Sequence, residues 1–414
     1  MTRSFSLVLL AALLLPALAS AQTTLTVGPT GTVQTLTEAL DRATPGTDIR
    51  VQPGVYREPT LQVDTPVSIT ALGEVVLDGE GERTILRVSA DSVTLRGLTF
   101  RNVAASFVED RSALLVEGAS GCRILENRFE DVFFAVYLAE TSDCEVIGNV
   151  FRGPDVSEAR AGNAIHLWYS RHITVRDNDI LGHRDGIYFE FVEDSIVENN
   201  LSTGNLRYGL HFMFSDNCRY TDNTFRANGA GVAVMYTEGV EMRGNAFEDN
   251  WGPAAFGLLL KEITDSEIIG NTFAHNTVGL YAEGSNRMQI SENTFESNGW
   301  AIKVMADAMQ NEFTQNNFVG NSFDVGTNSR QSNSSFSGNY WDAYEGYDLD
   351  RDGVGDVPFR PVRLFALIVE QHEPAMMLMR SLFVQLLDIA ERVAPALTPE
   401  TLVDDSPAMR PLSI

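Results

Sequence analysis

Three strands in the middle of the chain share one pattern: Gly186-Ile-Tyr-Phe-Glu-Phe, Gly209-Leu-His-Phe-Met-Phe and Gly231-Val-Ala-Val-Met-Tyr. Side chains of a strand alternate between two faces. The second and fourth positions are apolar (Ile187 and Phe189, Leu210 and Phe212, Val232 and Val234) and are expected to face a core. The third and fifth positions then face outward, and they include His211, Met213 and Met235. Met213 and Met235 are predicted to lie side by side on adjacent coils, about 4.8 Å apart. His166 is the next candidate ligand, in the corresponding slot two coils earlier. Thioether and imidazole donors select Cu(I) and do not suit magnesium or calcium. The competing interpretation is that methionine is a versatile filler and that six histidines must fall somewhere.

A second group of donors lies near the carboxyl end. Asp348, Asp350, Asp352 and Asp356 stand at positions 1, 3, 5 and 9 of a calcium loop. Gly353 is at position 6, and Val354 offers its backbone carbonyl at position 7. Position 12 is Phe359 where a bidentate Glu is usual, so a structural calcium would borrow ligands from elsewhere; the alternative is a solvated acidic turn. Met376, Met377 and Met379 with His372 could also hold copper, but an adaptable helix face that docks on a partner explains them better. No catalytic residues are assigned. There is no Ser/His/Asp signature and no phosphate loop. The outward residues Glu190, Lys261, Glu283 and Lys303 are spread over several coils with no Arg cluster beside them.

These donors are positioned by a repeat. Asn-x-Phe, or a close variant, recurs at Asn127, Asn149, Asn178, Asn200, Asn223, Asn245, Asn271, Asn293, Asn316 and Asn339, at intervals of 22 to 29 residues. An apolar residue precedes each Asn by three, and a second Asn follows by five from Asn205 to Asn321. This period predicts an all-β, right-handed, single-stranded parallel β-helix, in which each coil buries its apolar face only by stacking on the next. Asn tolerates left-handed turns, and in register its amide can bond to the Asn above and below. Thr35-x-x-Glu38 is a capping box. It opens a helix with Leu36, Ala39, Leu40 and Ala43 on one face, which covers the first coil. Strands are expected around residues 49–51, 67–70, 75–77, 85–88 and 93–100. Two coils are longer, near residues 153–162 and 251–255, and their insertions bracket the His/Met strands. Cys122, Cys144 and Cys218 share one slot of the repeat and read as small apolar fillers, with a Cys122–Cys144 bridge the lesser alternative.

Four segments follow. Residues 1–21 carry Arg3, an apolar run over 7–18 and Ala19-Ser20-Ala21, the marks of a secretory signal. Residues 22–336 form the β-helix, 337–361 the last coil with the acidic loop, and 362–414 an apolar helical tail. From Pro374 a single helix is predicted to Val393, too apolar for a surface helix and too charged for a membrane span, so it needs a partner groove; the last residues look disordered. Loss of residues 1–21, which hold Arg3 and no acidic residue, takes the formal charge from −26 to −27. Such a surface repels nucleic acid and anionic lipid.

The repeats, closed by Gly338-Asn-Tyr-Trp-Asp-Ala-Tyr and Asp348-Leu-Asp-Arg-Asp-Gly-Val-Gly-Asp-Val-Pro-Phe and followed by an apolar tail, resemble the NosD family along the whole mature chain. The opening helix and Asp48–Tyr56 stretch resemble pectate-lyase-like β-helices. The NosD resemblance implies a periplasmic protein of denitrification. Its expected partners are an ABC transporter (a membrane subunit with its ATPase), a copper chaperone and nitrous oxide reductase, whose copper–sulfur cluster they assemble. It implies attachment to the membrane through the partner and brings no catalytic residues. Other classes open to a β-helix are a polysaccharide lyase or epimerase and a carbohydrate-binding protein.

Overall fold

The computed structural model describes residues 23–106, 109–329, 333–393 and 402–414; the expected signal segment lies outside them. Every ladder between named strands is parallel, and they assemble three sheets of 14, 13 and 12 strands. Each coil contributes one short strand to each sheet in turn, which is the topology of a parallel β-helix, stacked to a rod roughly 60 Å long. The expected early strands appear as Thr47–Val51, Val67–Ala71, Val75–Asp78, Leu86–Val88, Thr94–Arg96 and Thr99–Val103.

The repeat has a physical role in each of its residues. The residue two after each Asn, mostly Phe, points inward, and Phe225, Phe247, Phe273, Phe295, Phe318 and Trp341 form one stack with ring centroids 4.0 to 5.7 Å apart. The Asn side chains are buried, and each amide bonds to the coil that follows it. Asn200, for example, donates both its backbone N–H and its Nδ2 to Asn223 Oδ1, each at 2.9 Å, and Nδ2 also reaches the Val175 carbonyl. The left-handed residue is not the ladder Asn, as expected from its tolerance, but its predecessor: Glu126, Asp177, Asn199 and Asp222, or Gly148, Gly244 and Gly270. The Asn is needed for its buried amide. A second ladder runs from Asn205 to Asn321, and His183 stands at its head with its backbone N–H on Asn205 Oδ1. All three cysteines are buried and free, as fillers should be.

Both ends are covered. Helix α1 (Leu36–Arg42) is capped by Thr35, whose side chain accepts from the Glu38 N–H at 3.1 Å, and it lays Leu36 and Ala39 on the first coils. The other end departs from expectation. Residues 402–414, expected to be disordered, lie across the last coil and bridge Phe336 and Tyr340 through Asp404 and Ala408. Asp404 is fully buried. Asn339 donates its backbone N–H and Nδ2 to Asp404 Oδ2 at 3.0 and 2.9 Å, and Trp341 Nε1 donates to the same oxygen at 3.1 Å. Asp404 thus occupies the rung that the next Asn of the ladder would fill.

The tail is also not one helix. It folds as α2 (Leu364–Gln371), a 3₁₀ turn over Glu373–Leu378 and α3 (Leu382–Val393). Phe365, Ala366 and Val369 of α2 pack on Val278, Trp300 and Phe323, on the outer face of the 12-stranded sheet. Lys303 pairs with Glu370 at 2.6 Å, and Glu391 of α3 accepts the first N–H of α2, Leu364, at 3.2 Å. A continuous helix would have carried this apolar surface away from the rod; the break at residues 379–381 lets it fold back and bury part of it.

Replacing the last rung tests the ladder. Asp404→Ala strands several buried donors, so it should destabilise the protein by about 3 kcal/mol or more. Asp404→Asn keeps an acceptor in the ladder pattern and should lose much less. Equal denaturant midpoints for the two variants would show that the rung contributes nothing.

Candidate functional site

The outer face of the 12-stranded sheet carries the residues singled out from sequence. Strands Asp185–Glu190, Tyr208–Met213 and Ala230–Met235 pair in register, so Glu190, Met213 and Met235 form one outward column. Their inward partners Ile187, Phe189, Leu210, Phe212, Val232 and Val234 are fully buried, which fixes the face. Met213 and Met235 are half-buried direct neighbours. The Tyr188 hydroxyl lies 3.7 Å from Met213 Sδ.

His211 is on the expected face but is not open to solvent: it is only 5 % exposed. Tyr188 and Tyr208 flank its ring, with centroids 5.0 and 4.8 Å away. The cause lies at the start of the strands, where Asp185 and Tyr208 precede the glycines. Asp185 is fully buried and takes two bonds from the Arg207 guanidinium, at Nε 2.8 Å to Oδ1 and through Nη2 to Oδ2. Burial works to raise the Asp185 carboxyl, but Arg207 and His211 outweigh it and leave it below the usual carboxylate range. The face was expected to carry no Arg cluster, and what stands here is the single Arg207 held by Asp185. The overlooked clue was that Asp185 and Tyr208 hold equivalent positions in adjacent strands.

His211 Nδ1 lies 3.8 Å from Asp185 Oδ2, and neither ring nitrogen has a hydrogen-bond partner. A buried polar group without a partner needs an explanation. The carboxylate favours the tautomer with hydrogen on Nδ1, which leaves the Nε2 lone pair free for a metal.

His166 is not brought to the sulfurs. Tyr188 stands between it and His211, with ring centroids 4.7 Å from His166. Its Nδ1 is 3.0 Å from the Asn163 amide. Burial, reinforced by Arg184, pushes the imidazole down to about 3, so it is neutral. The donors that the register brings together are therefore Met213 and Met235, with His211 on the neighbouring column.

In the acidic loop, Asp348, Asp350 and Asp352 each offer a carboxylate oxygen within 4.8 Å of the others. Asp352 pushes the Asp350 carboxyl up by repulsion. Asp356 stands outside that cluster and accepts from the Leu349 N–H at 2.7 Å. Val354 pairs with Ala408, and Gly355 N–H donates to the Pro407 carbonyl at 2.8 Å, so this loop grips the terminal segment.

Comparison with known proteins agrees with this architecture. The model of a family described as "Periplasmic copper-binding protein (NosD)" matches residues 152–346, the coils that hold both methionines. A "Probable ABC transporter binding protein NosD" of Pseudomonas aeruginosa is 29% identical over 367 residues, covering 84% of this chain and 85% of the relative. One from Stutzerimonas stutzeri is 26% identical over 381 residues, covering 87% and 86%. The chain is thus similar to NosD proteins through these coils and over most of its length. Among solved structures, the A-module of the mannuronan C-5 epimerase AlgE6 from Azotobacter vinelandii superposes with a TM-score of 0.58 at 17% identity, covering 73% of this chain and 92% of that one. A family 28 exopolygalacturonase of Yersinia enterocolitica gives 0.55 at 10%, covering 77% and 78%. These two likenesses are of fold. Among the described residues, no helix is long and apolar enough to cross a membrane.

Proposed function

We propose that this chain is a NosD-type periplasmic accessory protein that carries Cu(I) at Met213 and Met235, with His211 completing the donor set. The observation that carries the reading is the methionine pair in direct register beside a buried imidazole whose nitrogens have no partner. Thioethers are the soft donors that select Cu(I), and imidazole also suits copper. With two thioethers at the surface, the ion would be held loosely enough to pass on. The family description supports copper and the periplasm. The finer role is assembly of the copper–sulfur cluster of nitrous oxide reductase, with copper received from a chaperone.

The relatives' name supports a second part of the reading, that the helical hairpin docks on the membrane subunit of an ABC transporter driven by its ATPase. Leu382, Phe383, Leu386 and Ile389 of α3 are exposed, and Met377 of the 3₁₀ turn is 91% exposed. Exposed apolar side chains gathered on one hairpin are of the kind that marks a protein-interaction site. We also assign a structural calcium to Asp348, Asp350 and Asp352, with the Val354 carbonyl and Asp356 completing the loop. The three carboxylate oxygens within 4.8 Å of one another, the repulsion of Asp350 by Asp352 and the loop's grip on residues 402–414 support it.

Three measurements follow from these assignments. In a competition titration against a chromogenic Cu(I) chelator, Met213→Leu and Met235→Leu should each weaken binding by more than the roughly 10–100-fold that outer-shell changes cost. His211→Phe, which keeps the ring packing, should weaken it too, with melting temperatures unchanged for the methionine variants. Wild-type affinity in all three would place copper elsewhere.

Truncation before the tail would remove the cap at residues 402–414, so docking is better tested on the surface. Leu382→Ser with Phe383→Ser and Leu386→Ser should leave the melting curve intact and abolish co-purification with the transporter. Undiminished recovery would rule the hairpin out.

Calcium at about 100 times its dissociation constant should stabilise the fold by about 2.7 kcal/mol, and Asp350→Asn with Asp352→Asn should remove that gain. A melting temperature that ignores both calcium and chelator would leave the loop a plain acidic turn.

A further inference from the structure

The turn that follows the 12-stranded sheet carries an exposed aromatic column with no role in the copper site. Tyr169, Phe191, Phe214 and Tyr236 occupy one position in four successive coils, each N–H donating to the coil above. Their rings stack with centroids 4.6, 5.1 and 5.1 Å apart and interplanar angles of 10 to 19°. They are 36 to 53% exposed. All four have left-handed backbones, with φ between 46 and 56°. Such a conformation is strained for an aromatic residue, and ring stacking returns only part of that strain. Three stacked pairs return less than four strained residues cost, so the stack does not explain why rings stand in water. The same position in the flanking coils holds Glu140 and Glu262, and beyond them Gly118 and Gly284, the residue that fits this backbone freely.

The column has two borders. One residue before it come Trp168, Glu190, Met213 and Met235. Two residues after it come Arg171, Glu193, Asp216 and Glu238. Among the described residues, Glu140, Glu193, Glu238 and Glu262 are exposed and in no ion pair within 4.0 Å.

We infer that this aromatic column is a docking strip for another protein, one that presents apolar side chains bordered by lysine or arginine. Charge complementarity selects that occupant. A second copy of this chain would set carboxylates against carboxylates, and an anionic membrane or nucleic acid would be repelled likewise. A saccharide stacks on ring faces; here the faces are taken by neighbouring rings and the edges point outward. Ring edges and methionine sulfur together suit apolar protein side chains. The inference stands apart from the copper reading, because rings and carboxylates would bind such a partner with or without metal. A partner seated there would nevertheless cover Met213 and Met235.

The test uses the full chain in its own periplasm with a photo-cross-linking benzoylphenylalanine at position 214. The expected product is a cross-link to a different protein, at a segment combining apolar residues with Lys or Arg. That protein, purified, is then titrated against variants of the chain. Phe191→Gly with Phe214→Gly removes two rings and relaxes the backbone, so the fold should keep its melting temperature and the affinity should fall at least tenfold. Glu193→Lys with Glu238→Lys should also weaken binding, and should lessen its dependence on salt. Cross-links only to copies of this chain, to lipid or to saccharide, no cross-link at all, or equal affinity for wild type and both variants would overturn the proposal.

Discussion

A buried amide that finds no partner costs the fold a few kcal/mol, and this chain buries one in each repeat coil from Asn127 to Asn339. The cost is met only if the next coil supplies an oxygen at the same height. Each Asn therefore dictates where the following Asn must sit, and the register of the rod follows from that requirement. The ladder has a direction: every Oδ1 accepts from the coil before it. Its far end must finish on an acceptor that asks for nothing in return. A carboxylate meets that condition, and Asp404 supplies it, 65 residues along the chain from Asn339.

Register set in the interior is transmitted to the surface. Because Leu210, Phe212, Val232 and Val234 cannot turn outward, Met213 and Met235 cannot turn inward. The sulfur pair and the aromatic column are thus held by a scaffold with little freedom to rearrange. Where the interior repeat lengthens, at residues 153–162 and 251–255, the extra residues leave the rod just ahead of strands Ile165–Trp168 and Phe256–Lys261.

What could be read from the sequence is what the repeat determines. The Asn-x-Phe spacing suffices to predict the β-helix, and strand alternation suffices to set Met213 beside Met235. Alternation says which way a side chain leaves the sheet and nothing about what lies over it. The burial of His211 depends on Tyr208 and on the Asp185–Arg207 pair, which lie outside the six-residue pattern that drew attention to the strand. The last rung was harder still. Nothing in the stretch around Asp404 resembles the repeat, since an acceptor at the end of a ladder needs neither an amide nor a following Phe. The docking of the tail was not legible either, because composition alone does not show that Phe365 and Val369 have a hydrophobic landing site on Trp300 and Phe323.

That landing site ties the two parts of the proposed function together. The hairpin is held at both ends, by α2 on the sheet and by residues 402–414 on the last coil, so it is a clamped excursion from the rod. It sits over the same sheet that carries the methionines. The strand of Trp300 is the third neighbour of the strand of Met235, a separation of about 14 Å. Lys303 and Glu370 pin the hairpin to that sheet through an ion pair in which both side chains are largely buried. Removing either partner would leave the other charge poorly compensated, so the orientation of hairpin to rod is fixed. A membrane partner gripping the outer side of α3 would then hold the methionine pair at a set distance from itself. On the proposed reading, copper held there would sit at a constant height above the transporter.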